Sequence, residues 1–394
     1  MRRGMPARRH EQSRVKPPSL TLGVEEEYLL VDRETGELVD KMPRQMLEQC
    51  ERLAEGQQVK PEFLRSQIEI GTRICSNVAE VRDSLKVLRG AIIEVAARHG
   101  LAPIAVSTHP FAHWQAQKHT ARSRYDALSE EFQATANRLL ICGMHVHVGI
   151  EDDELRIDLL NQASYFLPHL LALSTSSPFW EGIDTGLKSY RVTVFDTLPR
   201  TGQPERMTSF AEFERLVGVL VHAGLVKDST HIWWDIRPSG RYQTLETRIM
   251  DVCTDVEDAV CLAALVQCIM RMLWRLRAGN RRWRTYPPML IGENRWRAMR
   301  YSFDKGLIDL GRGNVIPCAQ LYEELLDLIR EDAQALGCVE EVHHVRRILS
   351  RGTSAHRQLA LHAKLLSEGK TREEAGRGVV AHLIEETARG IVPR

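Results

Sequence analysis

Five segments of this chain alternate, residue by residue, between apolar and ionisable side chains, and nothing else in the sequence restricts the fold as much. Successive side chains of a β-strand point to opposite faces. Period-two alternation therefore specifies a strand with one face for a core and one for solvent or chemistry. In 20–32, Leu20, Leu22 and Val24 share one face, and Glu25 and Glu27 share the other. In 66–73, Ile68 and Ile70 oppose Gln67 and Glu69. In 144–150, Met144, Val146 and Val148 oppose His145 and His147. In 231–238, Ile232, Trp234 and Ile236 oppose Asp235 and Arg237; in 242–251, Leu245, Thr247 and Ile249 oppose Glu246 and Arg248. Glu26 is the odd member of its triplet, since it lies on the Leu22, Val24 and Tyr28 face and is expected to cap or pair at the strand end.

Helical signals lie between and after these strands. Asn77 with Glu80 has capping-box spacing, and Val81, Leu85, Leu88, Ile92 and Val95 form an apolar helical face that Gly100 can end. LAPIAVSTHP (101–110) reads as a further strand. Residues 154–174 read as helical with a kink or break at Pro168, and 175–208 carry loop chemistry. From about 256 the pattern is helical to the end, with Thr371 and Glu374 capping the last helix. Strands in the first two-thirds, with helices between and after them, predict an α+β fold around a mainly antiparallel sheet. Residues 1–18 read as a disordered basic tail and 19–394 as a single domain.

Composition excludes several classes. Hydrophobic residues make up 43% and charged residues 27%, an ordinary globular balance. The net charge of +1 is concentrated at the start, where Arg2, Arg3, Arg8, Arg9, Arg14 and Lys16 face Glu11 alone. A broad basic field for nucleic acid is absent, and the Arg- and Trp-rich stretch 274–300 reads as surface arginines over buried tryptophans. No apolar stretch follows the basic start, so it is not an export signal. The most apolar run, Ala259 to Met270, is interrupted by Gln267 and falls short of the ~20 residues that span a bilayer. Eight cysteines form no CxxC pair, and Cys253, Cys261 and Cys268 read as small core residues of a reducing compartment. A cytoplasmic protein with neither nucleic-acid nor membrane partners is expected.

Each polar strand face has a plain reading by itself. Three glutamates suit a solvated edge, HxH is commonly structural, and Glu246 with Arg248 suits a cross-strand ion pair. Together they mean more. One sheet with these faces aligned gathers Glu25, Glu27, Glu69, His145 and Glu246 in one concavity. Converging carboxylates repel unless cations lie between them, and oxygen ligands with one imidazole suit Mg²⁺ or Mn²⁺. Arg248 and Arg237 then suit phosphate or carboxylate. No GxxxxGK[ST], GxGxxG or GxSxG motif occurs, so metal and arginine must hold any nucleotide phosphates.

The ordered set GVEEEYLLVD (23–32), the Glu69 strand, CGMHVHVGI (142–150), RTGQPE (200–205), WWDIRP (233–238), TLETRIMD (244–251) and ENRWRAMRY (293–301) closely resembles the bacterial carboxylate-amine ligases, or glutamate–cysteine ligase type 2, from about residue 20 to 380. The resemblance implies a glutamine-synthetase-like catalytic fold, a curved antiparallel sheet with helices on its outer side and a helical C-terminal part. It also implies ATP-dependent amide formation with release of ADP and phosphate, and weak glutamate–cysteine joining in some members. By the same resemblance Glu25, Glu27, Glu69, His145 and Glu246 are metal ligands and Arg248 contacts phosphate, while His147 has no firm counterpart. The partners implied are a small carboxylate such as glutamate and an amine acceptor, with homodimerisation left open. Two other classes remain as alternatives: a metal-dependent hydrolase using His145 and His147, which would favour Zn²⁺, and a non-catalytic metabolite-binding relative.

Overall fold

The chain is organised on one seven-stranded sheet. Its computed structural model describes residues 16–120 and 123–391, so the expected basic tail lies outside the described residues apart from 16–18. The strands are β1 (Leu22–Asp32), β2 (Gln58–Pro61), β3 (Gln67–Gly71), β4 (Leu101–Ile104), β5 (Met144–Gly149), β6 (Ile236–Pro238) and β7 (Thr244–Thr247). They lie in the order β6-β7-β5-β1-β3-β2, with β4 paired to the far end of β1, and every pairing is antiparallel. Burial along β1 alternates from Leu22 to Tyr28, as the sequence pattern demands. Directly opposed residues share a face. The register sets Glu25 opposite His145, Glu27 opposite Glu69 and Glu246 opposite His147, so the ionisable residues meet on one side.

Helices α1 (Val78–Ala97) and α2 (Val256–Ala278) cover the other side, where Leu22, Val24, Ile68 and Ile70 join the main core. Asn77 caps α1 by accepting from the Glu80 N–H at 3.0 Å, while the Glu80 carboxylate accepts from the Ser76 N–H at 2.8 Å. Glu26 points into this covered side. The Arg89 guanidinium of α1 donates to both its oxygens, at 3.0 and 2.6 Å, and Tyr28 donates a third hydrogen bond. Arg89 also donates to the carbonyls of Cys253 and Thr254, at 2.9 and 2.7 Å, tying β1, α1 and the entry to α2 together.

The elements depart from the sequence expectation at identifiable places. The strand expected over 101–110 stops at Ile104 because the backbone beyond leaves the ladder: Ala105 N–H donates to Thr387 Oγ1 at 3.0 Å and Ser107 N–H to Ser176 Oγ at 3.1 Å. The strand expected over 231–238 divides at Asp235, whose carbonyl accepts from both Arg248 N–H (2.7 Å) and Ile249 N–H (3.2 Å). That shared acceptor is a bulge, and it also ends β7 before Arg248. Pro168 breaks the helix and sits in the first turn of a new one, Leu167–Ser174, where its missing N–H costs nothing. A small hairpin, Leu307–Asp309 with Asn314–Ile316, interrupts the helical C-terminal part. The apolar run from Ala259 belongs to a helix long enough to cross a membrane, but 78% of its apolar 18-residue stretch is buried within the protein, where it forms part of the core. All eight cysteines are free and buried. Of the tryptophans in 274–300, Trp274 and Trp283 are half-buried and Trp296 is exposed.

Candidate active site

On the sheet face opposite α1 and α2 lies a cavity of about 430 Å³. Its floor is made by the residues that the strand register aligns, including Glu25, Glu27, Glu69, His145, His147, Glu246, Arg237 and Arg248. The polar groups fall into two clusters. Ligand-capable atoms of Glu25, His147 and Glu246 lie within 4.8 Å of one another, as do those of Glu27, Glu62 and Glu69.

In the first cluster, His145 Nδ1 stands 3.3 Å from Glu25 Oε2 and 3.4 Å from Arg248 Nη1. His147 Nδ1 pairs with Thr244 Oγ1 at 2.9 Å, which leaves its Nε2 buried, without a hydrogen-bond partner among the described residues and 3.9 Å from Glu25 Oε2. Glu246 receives Arg237 in bidentate fashion, at 2.9 and 3.1 Å, and also binds Arg248 Nη1. Arg237 further donates to the carbonyls of Thr230 (3.1 Å) and Ile232 (2.6 Å). Four of its five N–H donors are thereby used. Arg237, expected to contact phosphate, is here bonded through its fork to Glu246. Asp235, also expected on the polar face, instead pairs with Arg295 at 2.7 and 3.1 Å, because the bulge turns it away from the cavity.

In the second cluster, Glu27 accepts from the Gly143 N–H at 2.7 Å, and Lys60 meets Glu69 at 2.7 Å. Lys60 and Glu62 had no signal as site residues, because β2 is a four-residue edge strand with little alternation. Arg191, in the segment read as loop, also reaches the wall.

The electrostatics divide in the same way. Burial disfavours the Glu25 carboxylate, but the imidazoles of His145 and His147 beside it more than offset this and hold its pKa well below the ordinary range. Burial likewise opposes ionisation of Glu246, and Arg248 and Arg237 more than reverse it. Burial and the charge of Glu69 push Glu27 up to about 7, and burial with Glu62 and Glu25 pushes Glu69 up to about 8. Burial and the Arg248 charge lower His145 to about 3, leaving it neutral at pH 7. One cluster is thus held anionic, the other holds protons more tightly because burial and mutual repulsion outweigh the nearby cations, and among the described residues an imidazole nitrogen is left unpartnered beside them. A divalent cation fits this donor set: it offsets the carboxylate repulsion and takes the free imidazole nitrogen. The oxygen-rich surroundings suit Mg²⁺ or Mn²⁺ better than Zn²⁺.

Fold and cavity together describe an enzyme of the ATP-dependent ligase class. The chain belongs to glutamate-cysteine ligase family 2 (GCS2), whose family model matches residues 21–385. Two relatives, each bearing the name "Putative glutamate--cysteine ligase 2", come from Rhodospirillum rubrum, 58% identical over 95% of this chain and 97% of that one, and from Ruegeria pomeroyi, 54% identical over 94% and 96%. Among solved structures, the crystal structure of glutamate--cysteine ligase from Francisella tularensis in complex with AMP superposes with a TM-score of 0.64 over 95% of this chain and 94% of that one, at 14% identity. The antiparallel sheet with helices on its outer side is therefore shared at a distance where little of the sequence is.

Proposed function

We propose that the protein activates a carboxylate with ATP and joins it to an amine, giving amide, ADP and phosphate by way of an acyl phosphate. The observation that carries this reading is the convergence of two carboxylate clusters beside Arg248 on one cavity wall. The names of the relatives favour L-glutamate as the carboxylate, with weak joining to L-cysteine. The family match over 21–385 favours a single catalytic domain across 19–394. Eight unpaired, buried thiols agree with the cytoplasm.

A carboxylate is a poor acyl donor because its leaving group would be oxide. Phosphorylation of one oxygen replaces oxide with phosphate, and the amine nitrogen can then attack the acyl carbon. Glu25, Glu27, Glu69, His145 and Glu246 are the proposed metal ligands, with His147 and Glu62 added by their positions. Mg²⁺ or Mn²⁺, when bound there, supplies the positive charge that a polyphosphate requires. Arg248 presents a planar fork to the phosphoryl group in transfer, and Glu246, fixed by Arg237, keeps that fork in place. Phe63, Phe132, Phe195 and Trp233 line the apolar part of the wall, where they limit water near the activated acyl group.

The test is a screen of amino acids and amines, in pairs, for ADP release from ATP. The expected result is ADP formation that requires both partners, vanishes with chelator and returns with Mg²⁺ or Mn²⁺. ADP formation in the presence of chelator, or Zn²⁺-dependent hydrolysis without ATP, would overturn the proposal.

A further inference from the structure

The cations that line the cavity differ in their freedom to move. Arg237 is held by Glu246 and two carbonyls, and Arg248 is bound to Glu246 as well. Arg191 is buried, at the end of a loop that Ser176, Ser177 and Ser189 fasten to Asp251 by hydrogen bonds of 2.7–2.8 Å. Arg241 is exposed at the rim. Lys60 is unlike all of these. Its side chain is 32% exposed, its ammonium is a compact charge on a flexible four-carbon stem, and it is paired at 2.7 Å with Glu69, a member of a metal-binding cluster.

The pairing follows from strand register. Lys60 opposes Glu69 and Glu69 opposes Glu27, so an ammonium and two carboxylates form a row across β2, β3 and β1 on the cavity face. β2 is the last strand of the sheet on that side, so no further strand confines the lysine stem. Glu69 also belongs with Glu27 and Glu62, whose ligand-capable atoms and its own lie within 4.8 Å of one another. One carboxylate therefore has two claimants, the Lys60 ammonium and the divalent cation that the cluster suits. These two repel each other, and the doubly charged one draws more of the carboxylate's charge. Lys60 is thus bound by an acid that it has to give up, and its stem lets it carry the charge elsewhere in the cavity.

We infer that Lys60 is an exchangeable cation: it neutralises Glu69 until a divalent ion takes that carboxylate, and then moves its ammonium to a terminal phosphate oxygen of the nucleotide. The inference rests on the ligase reading above. A terminal phosphate suits the released ammonium better than a carboxylate of the donor does, because it brings more than one negative charge into a cavity already lined by acids. Lysine meets phosphate as a point charge and needs no planar match of the kind Arg248 offers. Loading of metal and loading of nucleotide are thereby coupled through one side chain, and the coupling acts equally in both directions.

The test uses the full chain, Lys60→Met and Lys60→Arg. It measures Mn²⁺ binding without nucleotide by electron paramagnetic resonance, and binding of the non-hydrolysable triphosphate AMP-PNP and of L-glutamate at saturating Mg²⁺ by calorimetry. Lys60→Met removes the competitor for Glu69, so Mn²⁺ should bind about three- to tenfold more tightly. It also removes the phosphate partner, so AMP-PNP should bind about tenfold or more weakly. Lys60→Arg keeps the charge and should stay within about threefold of wild type in both measurements. L-Glutamate affinity should be the same in all three proteins. If Lys60→Met does not fold, Lys60→Gln makes the same comparison. A lysine with only a structural role would move both affinities in one direction, or neither. Any pattern other than tighter Mn²⁺ with weaker AMP-PNP would overturn the inference, and so would a loss of L-glutamate affinity larger than that of AMP-PNP, which would assign the ammonium to the donor. Failure of the ligase reading shows separately, as absence of ADP release with any donor and amine in wild type.

Discussion

Three consecutive glutamates on β1 should give two opposite phenotypes. Glu26 is completely buried and receives two hydrogen bonds from Arg89 and one from Tyr28. Glu26→Ala leaves the Arg89 charge buried, with only the Cys253 and Thr254 carbonyls as acceptors. Removing one member of a buried ion pair costs about 3–5 kcal/mol. At about 2 cal/mol/K per residue, a chain of this length has an unfolding entropy of roughly 0.8 kcal/mol/K, so Tm should fall by about 4–6 °C. Replacing the pair together, as Glu26→Met with Arg89→Met, should recover most of the loss, because it is the orphaned charge that destabilises. Glu25→Gln and Glu27→Gln orphan no fully buried guanidinium and should lower Tm by less than Glu26→Ala does, while weakening Mn²⁺ binding severely. Thermal melts and Mn²⁺ titration by electron paramagnetic resonance measure both quantities. If Glu26→Ala melts like wild type, or if Glu26→Gln weakens Mn²⁺ binding more than Glu25→Gln does, the assignment of the strand faces is wrong.

Arg248→Lys keeps a charge but loses the planar fork, and kcat should fall about 10²-fold or more, as on losing an oxyanion donor, with the fold intact by circular dichroism; near-normal turnover would make Arg248 a structural partner of Glu246. Glu27 and Glu69 titrate at about 7 and about 8, so a divalent cation must displace protons there below pH 8. Mn²⁺ affinity should therefore rise from pH 6 to pH 8, with proton release visible as a buffer-dependent calorimetric heat; a pH-independent affinity would place the ion elsewhere. His109 is lowered to about 4 by burial, and its Nδ1 accepts from the N–H groups of Phe111 and Ala112. The unfolded chain takes up that proton first, near pH 6.5, so the stability contributed by neutral His109 is full above 6.5 and is lost as pH falls to 4. The stability gap between wild type and His109→Asn should accordingly narrow by about 3 kcal/mol over that range in urea titrations; a constant gap would contradict a neutral, buried imidazole.

How much of this was legible beforehand depends on the kind of order that places each residue. Glu25, Glu27, Glu69, His145, His147 and Glu246 could be assigned to one face because strand alternation is a geometric rule that needs only local sequence. The same rule separated Glu26, although its partner Arg89 lies 63 residues away and could not be named. Arg237 was placed correctly on that face, but its role depends on the carbonyls of Thr230 and Ile232, which only tertiary structure brings to it. Asp235 was misplaced because a bulge breaks the alternation, and no residue type at 248–249 announces a bulge. Arg191 was invisible for another reason: its position is set by Asp251 and three serines on a loop, and a loop has no period.

The central claim is that the carboxylate is activated as an acyl phosphate. Its most direct test is to supply L-glutamate labelled with ¹⁸O in its carboxylates, together with ATP, Mg²⁺ and an amine that the screen identifies as an acceptor. The account predicts ADP as the nucleotide product and one ¹⁸O atom in each released phosphate, since the oxygen that attacks the γ-phosphorus leaves with it when the amide forms. Unlabelled phosphate, or AMP with pyrophosphate, would contradict it.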